Sequence, residues 1–227
     1  MGHVSSAEEI RQEHLQAFGP NLGPVYNALH NDVAWLHQKW LEYRKLYAES
    51  RERIDLLNGA ACEFFGILQF VLWRDVLLHI ARLTDPPKTG SFENLTLRRL
   101  PTEVEDEGLA GEISSLVGDA LARSEFARKL RNKIFAHTDF IQAIEAEPLR
   151  VGSRDDVEQA LRCIRAVLNR LHVSYMGGEV RFDRFMKSFR DADELVRLLE
   201  VALKAQDCLR QRPGECGLSM EAGECNR

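Results

Sequence analysis

The stretch A-A-C-E-F-F-G-I-L-Q-F-V-L-W-R-D-V-L-L-H-I, residues 60–80, decides the fold class. Its apolar residues point in nearly every direction around a helix, a pattern that is typical of a helix buried on all sides. Asp85, Pro86 and Pro87 end the pattern. We therefore predict a central, buried helix from about residue 52 to residue 83.

Two further helices are predicted around this central helix. Between Val25 and about Ala48, apolar residues recur every three or four positions, which predicts an amphipathic helix. Its apolar face consists of Val25, Leu29, Val33, Leu36, Trp40, Tyr43 and Leu46. Another helix is predicted from about Leu109, with a break near Ser124, toward His137.

Two more helices are predicted in the last third of the chain. Ser153 and Asp156 resemble a capping box, which begins a helix over roughly 154–174, and Gly177-Gly178 stops it. A last helix fits residues 191–209, and the strand signal is limited to residues 180–182. The predicted fold class is all-α, a bundle of four to five helices with little or no β structure.

The two ends of the chain lack these patterns. Residues 1–22 are polar, and the pairs Gly19-Pro20 and Gly23-Pro24 are expected to break any helix, so we predict a flexible N-terminal segment. Residues 23–210 form the predicted helical domain. Residues 211–227 combine proline, glycine and charge with little to bury, and a disordered tail is predicted there.

Composition excludes several classes of protein. The 227 residues carry a formal charge of −5, so a nucleic-acid role requires a local basic patch. Residues 1–20 carry charges where a signal peptide is apolar, and the apolar run 64–73 is too short to span a bilayer. Five cysteines without a C-x-x-C pair favour a reducing cytoplasm without disulfides. Neither a metal nor another cofactor is expected.

Common catalytic signatures are missing from the sequence, which has no H-E-x-x-H, P-loop, G-x-G-x-x-G or G-x-S-x-G. Two polar groups of residues remain as candidates. The first comprises Asp75, His79 and Arg82, which steps of four and three place on one side of the central helix. They form either a hydrogen-bond network between helices or a support for a site that another helix builds.

The second candidate is R-N-K-I-F-A-H-T-D, residues 131–139. On a regular helix Arg131 and His137 lie about 120° apart around the axis and roughly 9 Å apart along it, so they do not easily touch. They would face one groove from different heights or meet a second copy across a two-fold axis. Residues 123–133 carry five positive charges and one negative charge, which makes a phosphate-attracting patch of +4.

These segments together resemble a known family. R-N-K-I-F-A-H is similar to the Arg-x(4–6)-His motif of the HEPN superfamily, the small all-α proteins of prokaryotic conflict systems and RNA processing. The segments W-L-H-Q-K-W-L-E-Y-R-K-L-Y, E-R-I-D-L-L-N, L-W-R-D-V-L-L-H-I-A-R-L-T-D-P-P and E-N-L-T-L-R-R-L-P resemble the HEPN branch found with abortive-infection proteins of the U type. The resemblance covers roughly residues 30–175.

The resemblance implies a HEPN-like bundle that forms a homodimer through the helix bearing the motif. It also implies a metal-independent endoribonuclease that acts as a toxin or as an abortive-infection effector in phage defence. Arg131, Asn132 and His137 of two copies would line a composite cleft, in which Arg131 binds the scissile phosphate of RNA and His137 moves a proton. Asn132 would orient either Arg131 or His137. Further contacts to RNA are expected from Arg128, Lys129 and Lys133, with Asp75, His79, Arg82 and Asp139 in support.

Asp139 departs from the family pattern. Some HEPN toxins carry tyrosine two residues after the histidine, where a nucleotidyltransferase partner modifies it. Adenylylation is therefore not expected at Asp139, although an antitoxin or a nucleotidyltransferase stays a candidate partner. The Asp139 carboxylate would either bond the ring of His137 or sit at the helix end.

Two other functions compete with the nuclease hypothesis. One is a catalytically inactive HEPN module that binds a partner protein or a nucleotide. The other is a purely structural helical dimer, in which Asp75, His79 and His137 are polar groups of the core.

Overall fold

The computed structural model describes residues 6–132, 152–182 and 191–211. In these ranges the chain is all-α, as predicted, with seven α-helices, one 3₁₀ helix and one very short antiparallel hairpin. In chain order the elements are α1 (Ala7–Tyr47), α2 (Arg51–Leu83), β1 (Lys88–Thr89), β2 (Phe92–Glu93), the 3₁₀ helix (Leu97–Arg99), α3 (Leu100–Glu103), α4 (Glu107–Arg123), α5 (Glu125–Leu130), α6 (Arg154–Met176) and α7 (Ala192–Gln211).

The chain divides into two compact units. The first unit contains the described residues up to 43 and from 70 to 182, and the second contains residues 44–69 and 191–211. α1 and α2 each contribute residues to both units, and the described residues of both predicted sites fall in the first.

α1 begins earlier than the sequence indicated. A helix starts at Ala7, and Phe18 and Leu22 are buried, so the expected flexible segment 1–22 is wrong for residues 7–22. Gly19 takes a left-handed φ of 78° and kinks the chain. Pro20 then stands at the start of a new helical segment, where its missing N–H costs no hydrogen bond.

The predicted apolar face of α1 forms much of the core of the first unit. Leu29, Val33 and Leu36 are fully buried, whereas Val25 is only half-buried and Tyr26 takes its place in the core. Another part of the core comes from α4 packed against α6, where the buried side chains include Ile113, Val117, Leu161, Ile164 and Leu168.

A cluster of rings fills one part of this core. The His14 ring lies 4.9 Å from the His30 ring and 6.4 Å from the His172 ring, centroid to centroid, while Tyr26 stacks on Phe18 at 4.0 Å. Burial and the neighbouring histidine His14 lower the pKa of His30 to about 4. Burial also lowers the pKa of His14. His30 is therefore neutral at physiological pH.

The two halves of α2 differ in their surroundings. Its second half is buried at Val76, Leu77 and Ile80, as predicted. Its first half is kinked at Ala61 (φ −164°, ψ 76°), and large apolar side chains beyond the kink are exposed, including Phe64 (60 %), Ile67 (66 %) and Phe70 (59 %). The prediction of a helix buried throughout residues 60–80 is thus wrong for the first half.

By length and composition alone α2 resembles a membrane span. It has a mean hydropathy of 1.5 over its most apolar window, a third of which is buried in the structure. A single such helix is weak support for a membrane protein, because the core helix of a globular protein has the same composition.

Several predicted helix boundaries are confirmed. Ser124 separates α4 from α5, and the capping box of Ser153 and Asp156 begins α6. Gly177 ends α6 in a left-handed conformation with φ 79°. Residues 180–182 form no strand; the short hairpin lies instead at residues 88–93.

The second unit is held together by polar contacts between the end of α1, the start of α2 and the start of α7. Lys45 lies 2.7 Å from the carboxylate of Asp191, and Arg53 lies 2.8 Å from that of Asp193. The hydroxyl of Tyr47 donates to the carbonyl oxygen of Phe65 at 3.0 Å. α7 matches the predicted last helix within two residues at its C-terminal end.

Candidate functional site

The described part of the predicted site lies where α5 ends. Phe126 of α5 packs so closely against Gly152 that a Cβ at this glycine would collide with the ring. Arg131 and Asn132 follow α5 in π-helical geometry, a local widening that is frequent at functional sites. The predicted separation of Arg131 and His137 assumed a regular α-helix, and that assumption fails at the first two residues of the stretch.

The Arg131 side chain is anchored beside the C-terminal end of α2. Its Nη1 donates to both carboxylate oxygens of Asp85, at 2.6 and 2.5 Å, and its Nε donates to the side-chain oxygen of Asn132 at 3.1 Å. Charge-assisted pairs of this kind fix the plane of a guanidinium. Among the described residues, Nη2 has no hydrogen-bond partner, so its N–H groups can donate to an oxyanion.

Arg128, which lies within α5, is the second anchored arginine. Its Nη1 donates to the hydroxyl of Thr84 at 3.0 Å, and its Nη2 donates to the carbonyl oxygen of Leu121 at 2.7 Å. Burial, together with the positive charges of Arg131 and Arg98, lowers the pKa of Arg128. The side chain ties α5 to α2 and α4 while it adds positive charge to their junction.

These residues line a cleft of about 500 Å³ that we name the motif cleft. It is lined by Thr84, Asp85, Pro86, Arg98, Leu121, Glu125, Arg128, Lys129, Arg131 and Asn132. Four cations therefore face two carboxylates, and Lys129 lies 2.9 Å from one of them, Glu125. The excess of positive charge makes the motif cleft suitable for a phosphate.

The predicted supporting residues of α2 lie elsewhere. Lys39 forms an ion pair with Asp75. Arg82 lies 2.7 Å and His79 3.1 Å from one carboxylate oxygen of Asp32. All of these contacts join α1 to α2, and none of the three predicted residues lines the motif cleft. They match the interpretation of a hydrogen-bond network between helices.

Three predicted site residues, Lys133, His137 and Asp139, lie outside the described residues. The structure adds to the site two residues that sequence reasoning missed, Asp85 and Arg98. The signal for Asp85 was a carboxylate directly after the central helix in T-D-P-P, and that for Arg98 was the arginine pair in L-R-R-L-P.

The fold and the site define an all-α protein with a cationic cleft at the junction of three helices. Residues 20–195, well over half of the chain, match the family model HEPN_AbiU2, described as AbiU2. The chain therefore belongs to the HEPN AbiU2 family, and the resemblance to this HEPN branch is confirmed. Comparison with curated proteins and comparison with solved structures give no match.

Proposed function

We propose that the protein is a metal-independent endoribonuclease of the HEPN type. The observation that carries the proposal is the Arg131 guanidinium, which Asp85 and Asn132 hold at the edge of a cleft rich in cations. Membership of the HEPN AbiU2 family supports it, since a HEPN domain suggests a role of the ribonuclease or abortive-infection kind.

Arg131 binds the scissile phosphate in this proposal. Nη1 stays on the Asp85 carboxylate, and Nη2 donates to a non-bridging phosphate oxygen, where negative charge increases in the transition state. Asn132 keeps the guanidinium plane in place by accepting from Nε. A guanidinium that is already oriented needs little reorganisation when the reaction occurs.

His137 moves the proton in this proposal. An imidazole takes the proton from the RNA 2′-OH, the 2′ oxygen attacks phosphorus, and the bond from phosphorus to the 5′ oxygen breaks. A protonated imidazole returns the proton to the leaving 5′ oxygen. The products are a 2′,3′-cyclic phosphate and a 5′-OH, and no outside reagent is consumed.

The RNA strand follows the remaining cations of the motif stretch. Lys129 and Glu125 are both exposed, and an ion pair between exposed side chains is weak. A phosphate can therefore replace the Glu125 carboxylate. Arg128 contributes charge from its anchored position. Lys133 stays a proposed RNA contact.

Two copies of the chain form the active enzyme in this proposal. A homodimer brings Arg131, Asn132 and His137 of each copy to one composite cleft. The enzyme acts in the cytoplasm as a toxin or abortive-infection effector, and an antitoxin or a nucleotidyltransferase is the partner that would restrain it.

A growth assay tests the proposal in cells. Wild-type protein and Arg131→Ala are expressed side by side in a bacterium, with protein levels matched by immunoblot. We expect growth arrest and fragmented RNA with wild type only. Equal growth with both proteins, or equal arrest with both, contradicts the proposal.

One observation favours a second function, a catalytically inactive HEPN module that binds a partner protein or a nucleotide. The Asp85 carboxylate already neutralises Arg131, and an arginine in such a pair can serve structure or ligand binding without catalysis. In that case the purified protein binds a partner protein or a nucleotide, and RNA incubated with it stays intact over hours.

A further inference from the structure

A second cleft lined by arginines lies in the first unit between α4 and α6. We name it the α6 cleft; it has a volume of about 740 Å³, against about 500 Å³ for the motif cleft. Its walls include Leu116 of α4, Arg162, Arg165, Asn169 and Arg170 of α6, and Arg181 of the segment that follows α6. None of the residues predicted for the RNA site lines it.

The segment that closes one side of the α6 cleft is firmly attached. Asn169 accepts from the backbone N–H of Val180 at 3.0 Å and donates to its carbonyl oxygen at 3.1 Å. Nδ1 of His172 donates to the carbonyl oxygen of Gly178 at 2.6 Å. Phe182 is 2 % exposed beside the histidine cluster, so Arg181 is held between two fixed points.

The α6 cleft carries more positive than negative charge. Four arginines line it against the single carboxylate of Glu179. Arg170 is already engaged, because its Nε donates to Glu112 at 2.5 Å. Arg162 and Arg181, however, are exposed and make no ion pair within residues 6–132, 152–182 and 191–211. Two guanidinium groups at the rim are thus left for an external anion.

The spacing of the arginines suits a chain of phosphates. Arg162 and Arg170 are eight residues apart on α6, which corresponds to about 12 Å along the helix axis and exceeds the size of one phosphate group. Guanidinium groups match phosphate oxygens with two parallel hydrogen bonds. Leu116, Ala166 and Val173 also line the cleft and offer apolar surface to a ribose or base.

We propose that the α6 cleft binds the phosphodiester backbone of an RNA strand, as a second contact besides the motif cleft. The choice of RNA over an acidic peptide rests on the proposed ribonuclease function. The cleft adds affinity and takes no part in the bond cleavage. Arg162 and Arg181 supply the two phosphate contacts that are easiest to remove.

The test measures binding of a fluorescent 2′-O-methyl oligonucleotide by anisotropy. This RNA analogue lacks the 2′-OH nucleophile, so binding is measured whether or not the protein cleaves RNA. In the variant Arg162→Ala/Arg181→Ala, two lost phosphate contacts should weaken binding about tenfold at moderate salt and reduce the slope of log K against log salt by about 1.4.

The matched control is the variant Arg11→Ala/Arg51→Ala. It removes the same charge from two exposed arginines that do not line the α6 cleft. Its affinity should stay within about twofold of the wild-type value, and the melting temperatures of both variants should match that of wild type, since all four side chains are exposed.

The outcomes separate this inference from the proposed nuclease. A protein that cleaves no RNA but loses affinity only in the α6 variant supports the cleft and refutes the nuclease. A protein that cleaves RNA normally and binds the oligonucleotide equally well in both variants overturns the cleft. A poly-aspartate peptide that displaces the oligonucleotide as well as unlabelled RNA does would also overturn it, because the cleft would then be a general anion surface.

Discussion

The motif cleft and the α6 cleft both present arginines, but they hold them in different ways. In the motif cleft, Arg131 is bound to a carboxylate and Arg128 to a hydroxyl and a carbonyl oxygen. In the α6 cleft, the rim residues Arg162 and Arg181 have no ion-pair partner among the described residues. Both clefts belong to the first unit and face solvent on the same chain.

Positive charge can serve two purposes in these clefts. An arginine that is fixed in advance can stabilise one particular arrangement of atoms, such as a transition state, at low cost in entropy. An arginine without a partner keeps its full attraction for a polyanion, although it does not impose one geometry. We therefore expect changes in the motif cleft to alter the rate of cleavage, and changes in the α6 cleft to alter affinity.

The largest effect is expected for Arg131→Ala. Removing the group that binds the scissile phosphate should lower kcat by roughly 100- to 1000-fold, and the fold should survive because Arg131 and Asp85 are both partly exposed. The measurement is the rate of RNA cleavage at saturating substrate, with circular dichroism as a check of folding.

Arg98→Ala is the matched control for this experiment. It removes the same charge from the same cleft, at an exposed residue that is not part of the anchored set. We expect kcat to change by no more than a few-fold in Arg98→Ala. Equal decreases of kcat in Arg98→Ala and Arg131→Ala would show that the cleavage rate depends only on the total charge of the motif cleft.

Acid should destabilise the first unit, which carries both clefts, because His30 packs among the rings of its core. The pKa of His30 is lowered to about 4 in the folded protein, so the unfolded chain binds a proton more readily below about pH 6.5. Stability is present above pH 6.5 and is lost as the pH falls toward 4. Between pH 7.5 and 5 we expect a loss of about 2 kcal/mol in the free energy of unfolding.

Urea unfolding at the two pH values measures this loss, and His30→Gln is the comparison variant. The variant should lose less stability on acidification than wild type does. An identical loss in both proteins would mean that His30 is not responsible, and cleavage that stops at pH 5 with unchanged stability would assign the acid effect to the site itself.

Asp85→Asn tests the anchoring of Arg131 directly. The amide keeps the shape but loses the charge that fixes the guanidinium, so kcat should fall between ten- and a hundredfold. Affinity for an uncleavable oligonucleotide should be unchanged or higher, because a negative charge leaves the cleft. A fall in affinity with unchanged kcat would contradict the positioning role of Asp85.

The smallest effect in this series is expected for Arg162→Ala/Arg181→Ala in the cleavage reaction. KM should rise about tenfold with kcat unchanged, since the α6 cleft adds binding without touching the reacting bond. A variant with lower kcat and unchanged KM would show that the α6 cleft takes part in catalysis. That result would contradict the assignment of rate to the motif cleft and affinity to the α6 cleft.

Local signals in the sequence predicted the helices well. The break at Ser124, the capping box at Ser153 and the stop at Gly177 each depend on a few neighbouring residues, and all three are present. The sequence does not predict the start of α1, because Gly19-Pro20 usually stops a helix, whereas here the chain kinks and continues.

Tertiary contacts were beyond the reach of local patterns. The pair of Arg131 and Asp85 joins residues that are 46 positions apart, and no spacing rule connects them. The exposure of Phe64 and Ile67 likewise depends on what packs around the first half of α2, which its composition does not reveal. In the α6 cleft, likewise, no spacing rule connects Arg162 on α6 with Arg181 on the segment that follows it.

The most direct test of the central claim is the chemistry of the RNA ends left by the purified protein in EDTA. The wild-type protein should produce fragments with a 2′,3′-cyclic phosphate and a 5′-OH, detected by mass spectrometry, and His137→Ala should produce none. Intact RNA with the wild-type protein, or the same fragments from His137→Ala, would contradict the account.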